Sequence, residues 1–223
     1  MKYRVAEKFI SINGEGNAAG QLAVFIRFAG CNLNCSYCDT KWANNVTGVK
    51  YNEFSEEDIF YYIKETGVEN VTLTGGEPLL QEGIIQLLSL LSADGTLRVE
   101  IETNGSIELN KFINIKPRRP VFTMDYKLGS SEMETAMKTG NFELLCRQDT
   151  VKFVAGSIGD LETAKELIAK YHLTHKCQVH FSPVFGKIDM QTIVEFIKKN
   201  KMNGVRLQPQ IHKIIWHPDM RGV

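Results

Sequence analysis

The stretch Gly30-Cys31-Asn32-Leu33-Asn34-Cys35-Ser36-Tyr37-Cys38-Asp39 decides how the rest of this chain is read. It gathers Cys31, Cys35 and Cys38 into one short loop. Soft thiolates at these spacings can each take a different corner of a four-iron, four-sulfur cube, which leaves one iron without a protein ligand. A bidentate small molecule could bind that open iron and receive an electron. The other readings of three close cysteines are a zinc knuckle short of one ligand and a disulfide with a spare thiol. Against both, no Cys-x-x-Cys or His-x-x-x-His pair follows downstream.

The 223 residues leave room for one large core, so a single domain over 1–223 is expected. With 26 basic and 26 acidic residues the net charge is zero, and no global field favours nucleic acid or an anionic membrane. Small-molecule chemistry is the better expectation. The first ten residues mix Lys, Arg and Glu with apolar residues, and no later run approaches a membrane span, which points to a cytoplasmic protein. Three cysteines in one loop suit a reducing compartment, with Cys146 and Cys177 as ordinary thiols. Asn45-Val46-Thr47 matches a glycosylation acceptor, which has no consequence in a cytoplasmic chain.

Phe9 to Gly16 starts as an alternating strand and ends in a glycine-rich turn that exposes Glu15; it lacks the third glycine of a dinucleotide fingerprint. Leu22 to Ala29 reads as the first full strand, apolar enough to be buried on both faces. Arg27 interrupts it, either as a salt-bridge partner near a strand end or as an anion-binding group facing a pocket. A polar, irregular segment from Thr40 to Phe54 follows, and long ordered loops tend to carry function. Ser55-Glu56-Glu57-Asp58 has the character of a helix cap and predicts a helix to about Thr66. Apolar runs then recur at Val71–Thr74, Val99–Glu102, Val121–Asp125, Val151–Ala155, Val179–Pro183 and Val205–Gln208. Helical stretches are expected between them near Ile84–Ala93, Glu132–Thr139, Leu161–Tyr171 and Met190–Lys199, with a shorter one around Leu109. Strands alternating with helices imply parallel β-α units. A full eight-fold barrel typically takes ~250 residues, so an incomplete TIM-like β/α barrel is expected.

In such barrels chemistry gathers at the carboxyl ends of the strands. One run ends Thr74-Gly75-Gly76-Glu77-Pro78, where two glycines permit close ligand approach; as a bare pattern it is equally a strand-to-helix turn. Others end Glu102-Thr103-Asn104-Gly105, Asp125-Tyr126-Lys127 and Phe181-Ser182-Pro183. Glu15 and Arg27 together offer a carboxylate and a guanidinium, the pair that would grip a molecule with a guanidine-like edge at one end and a carboxylate at the other, as a carboxylated pterin has. Asp39-Thr40 adds hard oxygen donors that would suit Mg2+. His212, in Gln210-Ile211-His212-Lys213, is either a surface histidine or a site residue.

The cysteine spacing with Tyr37 before the last thiol resembles the radical S-adenosylmethionine (SAM) superfamily, and the Thr74 to Pro78 turn resembles that family's glycine-rich segment. The resemblance implies a partial barrel with the cluster loop after its first strand, a 4Fe-4S cluster on Cys31, Cys35 and Cys38, and SAM on the open iron. Almost the whole chain is similar to the branch that contracts a carboxylated tetrahydropterin, with loss of ammonia, in queuosine biosynthesis. That branch implies Thr40 as a Mg2+ ligand. It implies Ile12, Asn13, Gly14, Glu15, Arg27, Thr74 and His212 as substrate contacts, with Glu15, Arg27 and His212 closest to the chemistry. Tyr37, Asp39, Gly76, Thr103, Asp125, Tyr126, Lys127 and Ser182 become SAM contacts. A flavodoxin-type electron donor and a homodimer are implied as well. Many members read Gln-Gly-Glu-Gly where this chain has Asn13. A glycyl-radical activase shares the cysteine spacing and the glycine turn, and a metal-binding module is the non-catalytic alternative.

Overall fold

The computed structural model of the chain describes residues 1–45 and 47–223, so Val46, the middle residue of the acceptor triplet, lies outside the described residues. Nine strands form one sheet: β1 (Tyr3–Ile12), β2 (Leu22–Phe28), β3 (Asn52–Phe54), β4 (Asn70–Gly75), β5 (Arg98–Thr103), β6 (Val121–Tyr126), β7 (Thr150–Ala155), β8 (Gln178–Pro183) and β9 (Val205–Leu207). Their spatial order is β3-β1-β2-β4-β5-β6-β7-β8-β9, and pairing is parallel from β2 through to β9. β1 pairs antiparallel with both β2 and β3 and extends one edge. The result is the expected incomplete barrel, open between β3 and β9. The cluster loop follows the first parallel strand, β2, but an antiparallel strand precedes it in sequence.

The helices are α1 (Lys41–Asn44), α2 (Glu56–Thr66), α3 (Ile84–Ala93), α4 (Ile158–Lys170), α5 (Leu173–Lys176), α6 (Met190–Lys199) and α7 (Ile211–Ile215). α2 starts where the sequence places it. Ser55 Oγ accepts from the Asp58 N–H at 3.1 Å while the Asp58 carboxylate accepts from the Ser55 N–H, and Gly67 ends the helix at φ 69°. The helix expected over Glu132–Thr139 is absent. Short 3-10 turns occupy Gly129–Ser131, Glu134–Ala136 and Thr139–Glu143 instead. Glu132 sits at φ 63° and breaks the helical run. Met137 is extended, and its sulfur accepts from the Lys127 N–H at 3.2 Å. The polar Thr40–Phe54 segment contains α1 and β3.

The two faces of the sheet differ in kind. One face carries Leu73, Ile101, Phe122, Met124, Val151, Phe153 and Phe181, all buried in a continuous apolar core. Apolar burial at roughly 25 cal/mol per Å² makes this layer the main source of stability. The barrel-facing side carries a set of buried polar residues: Thr72, Glu100, Thr123, Lys152, His180 and Ser182. In-register pairs such as Thr72 with Glu100, Asp125 with Lys152, and Lys152 with His180 keep these groups on one side. The β1–β2 loop descends into this polar interior. Asn13 Oδ1 accepts from Thr72 Oγ1 at 2.8 Å, and a Cβ at Gly16 would lie 2.8 Å from Glu100 Oε1.

The loop is also held to the last strand. Gln208 Oε1 accepts from the Gly16 N–H at 2.8 Å, while Gln208 Nε2 donates back to the Gly16 carbonyl at 3.0 Å. The turn after β4 is packed against the cluster loop at backbone level. The Gly76 N–H donates to Phe28 O and the Glu77 N–H to Gly30 O. A Cβ at Gly76 would stand 2.1 Å from Gly30 O, a collision with backbone that no rotamer relieves. Gly76→Ala is therefore expected to cost more than about 3 kcal/mol of unfolding free energy, read by urea denaturation.

Candidate active site

The cysteine loop, the β1–β2 loop and the carboxyl ends of β4 to β7 surround a cavity of about 630 Å³. Cys31, Cys35 and Cys38 line it, and none is in a disulfide. Burial pushes the Cys31 and Cys35 thiols above their usual range. The three sulfurs sit around the cavity wall and not on one point: among the described residues no group of three His, Cys, Asp or Glu side chains converges as a single ion would require. Three soft thiols in one loop are a donor set that an iron-sulfur cluster accepts, one thiolate to each of three irons.

Most sequence-indicated residues meet here. Ile12, Gly14, Glu15, Arg27, Tyr37, Asp39, Thr40, Thr74, Gly76, Thr103, Asp125, Lys127 and His212 all line the same cavity as the thiols. Three others point elsewhere. Asn13 turns its side chain down onto Thr72. Tyr126 stacks 5.1 Å from Phe142 in the apolar core, as its position between Asp125 and Lys127 requires of alternating strand residues. Ser182 is fully buried, with Oγ within 3.0 Å of Glu15 Oε1 and 2.9 Å of Gln208 O. Its hydroxyl supports Glu15.

The electrostatic centre is Lys152, which sequence reading passed over. Its ammonium lies 2.9 Å from Glu15 Oε2 and 3.4 Å from Asp125 Oδ2, and Asp125 is bridged again by Lys127 at 2.8 Å. Burial would push both carboxyls up, but Lys152 for Glu15, and Lys127 with Lys152 for Asp125, hold them below their usual values. Burial would lower Lys152, and Glu15 with Asp125 raises it well above the ordinary lysine range instead. The signal was a lone lysine in the apolar run Val151-Lys152-Phe153-Val154. Asp125 lines the cavity, and its Oδ1 is buried with no hydrogen-bond partner among the described residues.

Arg27 meets Glu7, also missed, whose Oε1 accepts from Arg27 Nε at 2.7 Å. Arg27 therefore salt-bridges within the sheet and also lines the cavity. Thr40 Oγ1 is 3.5 Å from Cys38 Sγ, and Asp39 is bound by Lys213 at 2.8 Å. His212 Nδ1 would be 2.3 Å from a Cβ at Gly14, so the glycine lets the ring close over that loop; burial lowers its basicity. The tail from Pro218 to Val223 completes the wall, with the Arg221 guanidinium 4.0 Å over the Trp42 ring.

Comparisons with known proteins identify the family. A family model for the Radical SAM superfamily matches residues 25–199. The chain is 62% identical over 223 residues, the whole of both chains, to the 7-carboxy-7-deazaguanine synthase of Clostridium acetobutylicum. It is 35% identical over 222 residues to the enzyme of that name from Chlorobaculum tepidum, covering 98% of this chain and 96% of the relative. Its fold is similar to the crystal structure of QueE from Escherichia coli, with a TM-score of 0.75 at 24% identity and 94% of each chain covered.

Two measurements test the buried charges. Lys152→Met leaves Glu15 and Asp125 short of a countercharge and is expected to cost on the order of 3–5 kcal/mol in denaturant titration. Burial pushes the Glu100 carboxyl up to about 7. The folded chain thus keeps a proton that the unfolded chain releases near the ordinary value of 4.5, and stability falls as pH rises from there to about 7. Glu100→Gln is expected to flatten this decline by up to ~3 kcal/mol, at about 1.4 kcal/mol per unit.

Proposed function

Because the chain belongs to the radical SAM superfamily and, within it, to the 7-carboxy-7-deazaguanine synthase family, we propose that it converts 6-carboxy-5,6,7,8-tetrahydropterin to 7-carboxy-7-deazaguanine and ammonia. It is a radical SAM enzyme, and its cofactors are a 4Fe-4S cluster and SAM. The curated relatives share one name, which leaves the activase and metal-module readings without support. The observation that carries the proposal is that three unpaired thiols share one cavity with a carboxylate, a guanidinium and a backbone-exposing glycine turn.

Cys31, Cys35 and Cys38 would hold the cluster. When bound, the cluster and SAM supply one electron and a 5'-deoxyadenosyl radical that takes one hydrogen from the substrate. The chain's own share is positioning. Gly75 and Gly76 present backbone to the methionyl end of SAM. Asp125, whose Oδ1 has no partner among the described residues, accepts a ligand hydroxyl or amine, and Lys127, anchored on Asp125, answers a carboxylate. Tyr37, Asp39 and Thr103 complete that side. On the substrate side Glu15 accepts from the aminopyrimidinone edge, supported from behind by Lys152 and Ser182. Ile12 and Gly14 offer backbone groups, while Thr74 and His212 close the flank. Arg27, fixed through Nε by Glu7, directs its terminal nitrogens to the substrate carboxylate. The Thr40 hydroxyl on the cavity wall is the protein oxygen for Mg2+, which would orient that carboxylate.

The wider setting is a single domain over 1–223 acting in the cytoplasm as a homodimer, reduced by a flavodoxin-type protein. Among the described residues no helix is long and apolar enough to cross a membrane.

The test is an anaerobic assay of iron-reconstituted protein with reductant, SAM, Mg2+ and the carboxytetrahydropterin, followed by mass spectrometry. A product lighter than the substrate by one ammonia is expected; 5'-deoxyadenosine with untouched pterin would overturn the substrate assignment. Cys35→Ala should lose both cluster absorbance and activity. Arg27→Ala should keep the cluster and bind substrate ~10–100-fold more weakly, the loss of a charged hydrogen bond worth roughly 1.5–3 kcal/mol.

A further inference from the structure

Asn104 follows directly on the last residue of β5 and is fixed at both ends. Its backbone N–H donates to Glu77 Oε2 at 2.7 Å, and the neighbouring Thr103 Oγ1 donates to Glu77 Oε1 at 2.9 Å. Glu77 is fully buried, so position 104 is pinned to the glycine turn beside the cysteine loop. The side chain is equally constrained. Its Oδ1 accepts from the Ser106 N–H at 2.9 Å and lies 2.7 Å from Ser106 Oγ. A backbone N–H can only donate, so the atom facing it must be the amide oxygen, and the orientation of the carboxamide follows from the network.

The amide nitrogen then has one direction left. Asn104 Nδ2 lies 3.6 Å from Cys31 Sγ and 3.1 Å from Asn32 Oδ1, one acceptor for each of its protons. Asn32 Nδ2 in turn donates to Ser106 Oγ at 2.8 Å, closing a ring of three polar side chains. By contrast Asn44 Nδ2 lies 3.5 Å from Cys38 Sγ, but among the described residues its buried oxygen has no partner that would fix the amide. Cys31 thus receives a carboxamide donor whose orientation is fixed by its other bonds, in addition to the Leu33 N–H at 3.4 Å.

We propose that Asn104 tunes the cluster: its amide is held N–H first against Cys31 Sγ so that the ligated sulfur carries a hydrogen bond that favours the reduced state. This rests on the reading of Cys31 as a cluster ligand. A donor at a cluster thiolate withdraws electron density from the sulfur and stabilises the extra negative charge taken up on reduction, which raises the reduction potential. Asn104 is a positioning residue in this account. It sets how readily the electron is taken up and need not touch the substrate.

The experiment is a redox titration of the reconstituted holoprotein, monitored by the electron paramagnetic resonance of the reduced cluster, with iron content measured for each protein. Asn104→Leu removes the donor at similar size. Asn104→Asp keeps the acceptor for Ser106 but sets a carboxylate against the sulfur. Ser106→Ala loosens the ring and leaves the Asn104 amide in place. Asn104→Leu is expected to disfavour reduction about tenfold, a fall of ~59 mV for a one-electron couple, with Asn104→Asp falling further and Ser106→Ala close to wild type. Equal potentials in wild type and both Asn104 variants, or the same fall in Ser106→Ala, would overturn the proposal. So would failure of both Asn104 variants to assemble a cluster, since the residue would then be purely structural. Wild-type protein that assembles no cluster would instead sink the ligand reading beneath it.

Discussion

A lysine ammonium inside a barrel is the constraint on which this structure turns. Lys152 projects from β7 between the Glu15 carboxylate on the β1–β2 loop and the Asp125 carboxylate on β6. Unpaired, any one of these buried charges would cost several kcal/mol, so the three, with Lys127, are stable only together. Charge balance therefore positions a loop. The β1–β2 loop can lie within the barrel because its carboxylate meets a countercharge there, and the same contact aims Ser182 and Lys152 at the back of the residue assigned to the substrate.

The polar interior also explains how an open barrel keeps its shape. Seven parallel strands do not close, and a complete barrel would fill its centre with branched apolar side chains. Here the sheet sends its apolar face outward to the helices and fills the centre with hydrogen bonds. Gln208 reads both backbone groups of Gly16, and His180 Nδ1 lies 2.8 Å from the same Gln208 oxygen. Because that oxygen already accepts from Gly16, the imidazole must donate through Nδ1, and burial keeps it neutral by lowering its basicity. The loop thus ties the β1 side of the sheet to the end of β9, which no ladder joins.

Local chemistry was legible in the sequence, and side-chain direction across the sheet was only partly so. The cysteine loop, the glycine turn, the α2 cap and the strand positions from Val71 onward depend on neighbours within a few residues. Tyr126 was also decidable, since residues on either side of it were assigned to the cavity and strand neighbours alternate. Ser182 and Asn13 were not, because their partners, Glu15 and Thr72, are 167 and 59 residues away. Glu7 became part of the site only through the antiparallel register that sets it beside Arg27. The false helix at Glu132–Thr139 arose because apolar spacing alone does not reveal a residue at positive φ.

The bed of the thiols is set by backbone contacts, which limits how far it can adapt to metal. The Gly76 and Glu77 N–H groups bond the carbonyls of Phe28 and Gly30, at the threshold of the cysteine loop, and Glu77 then holds Thr103 and Asn104. Burial pushes the Glu77 carboxyl up to about 7, while three donors to its two oxygens act in the opposite sense. The donors and the nearby Lys127 ammonium favour the carboxylate form, against the burial that raises it. Cys31 and Cys35 are different: burial raises both and holds them as thiols in the metal-free chain. As the proposed cluster ligands they would release those protons on assembly, and binding would strengthen as pH rises.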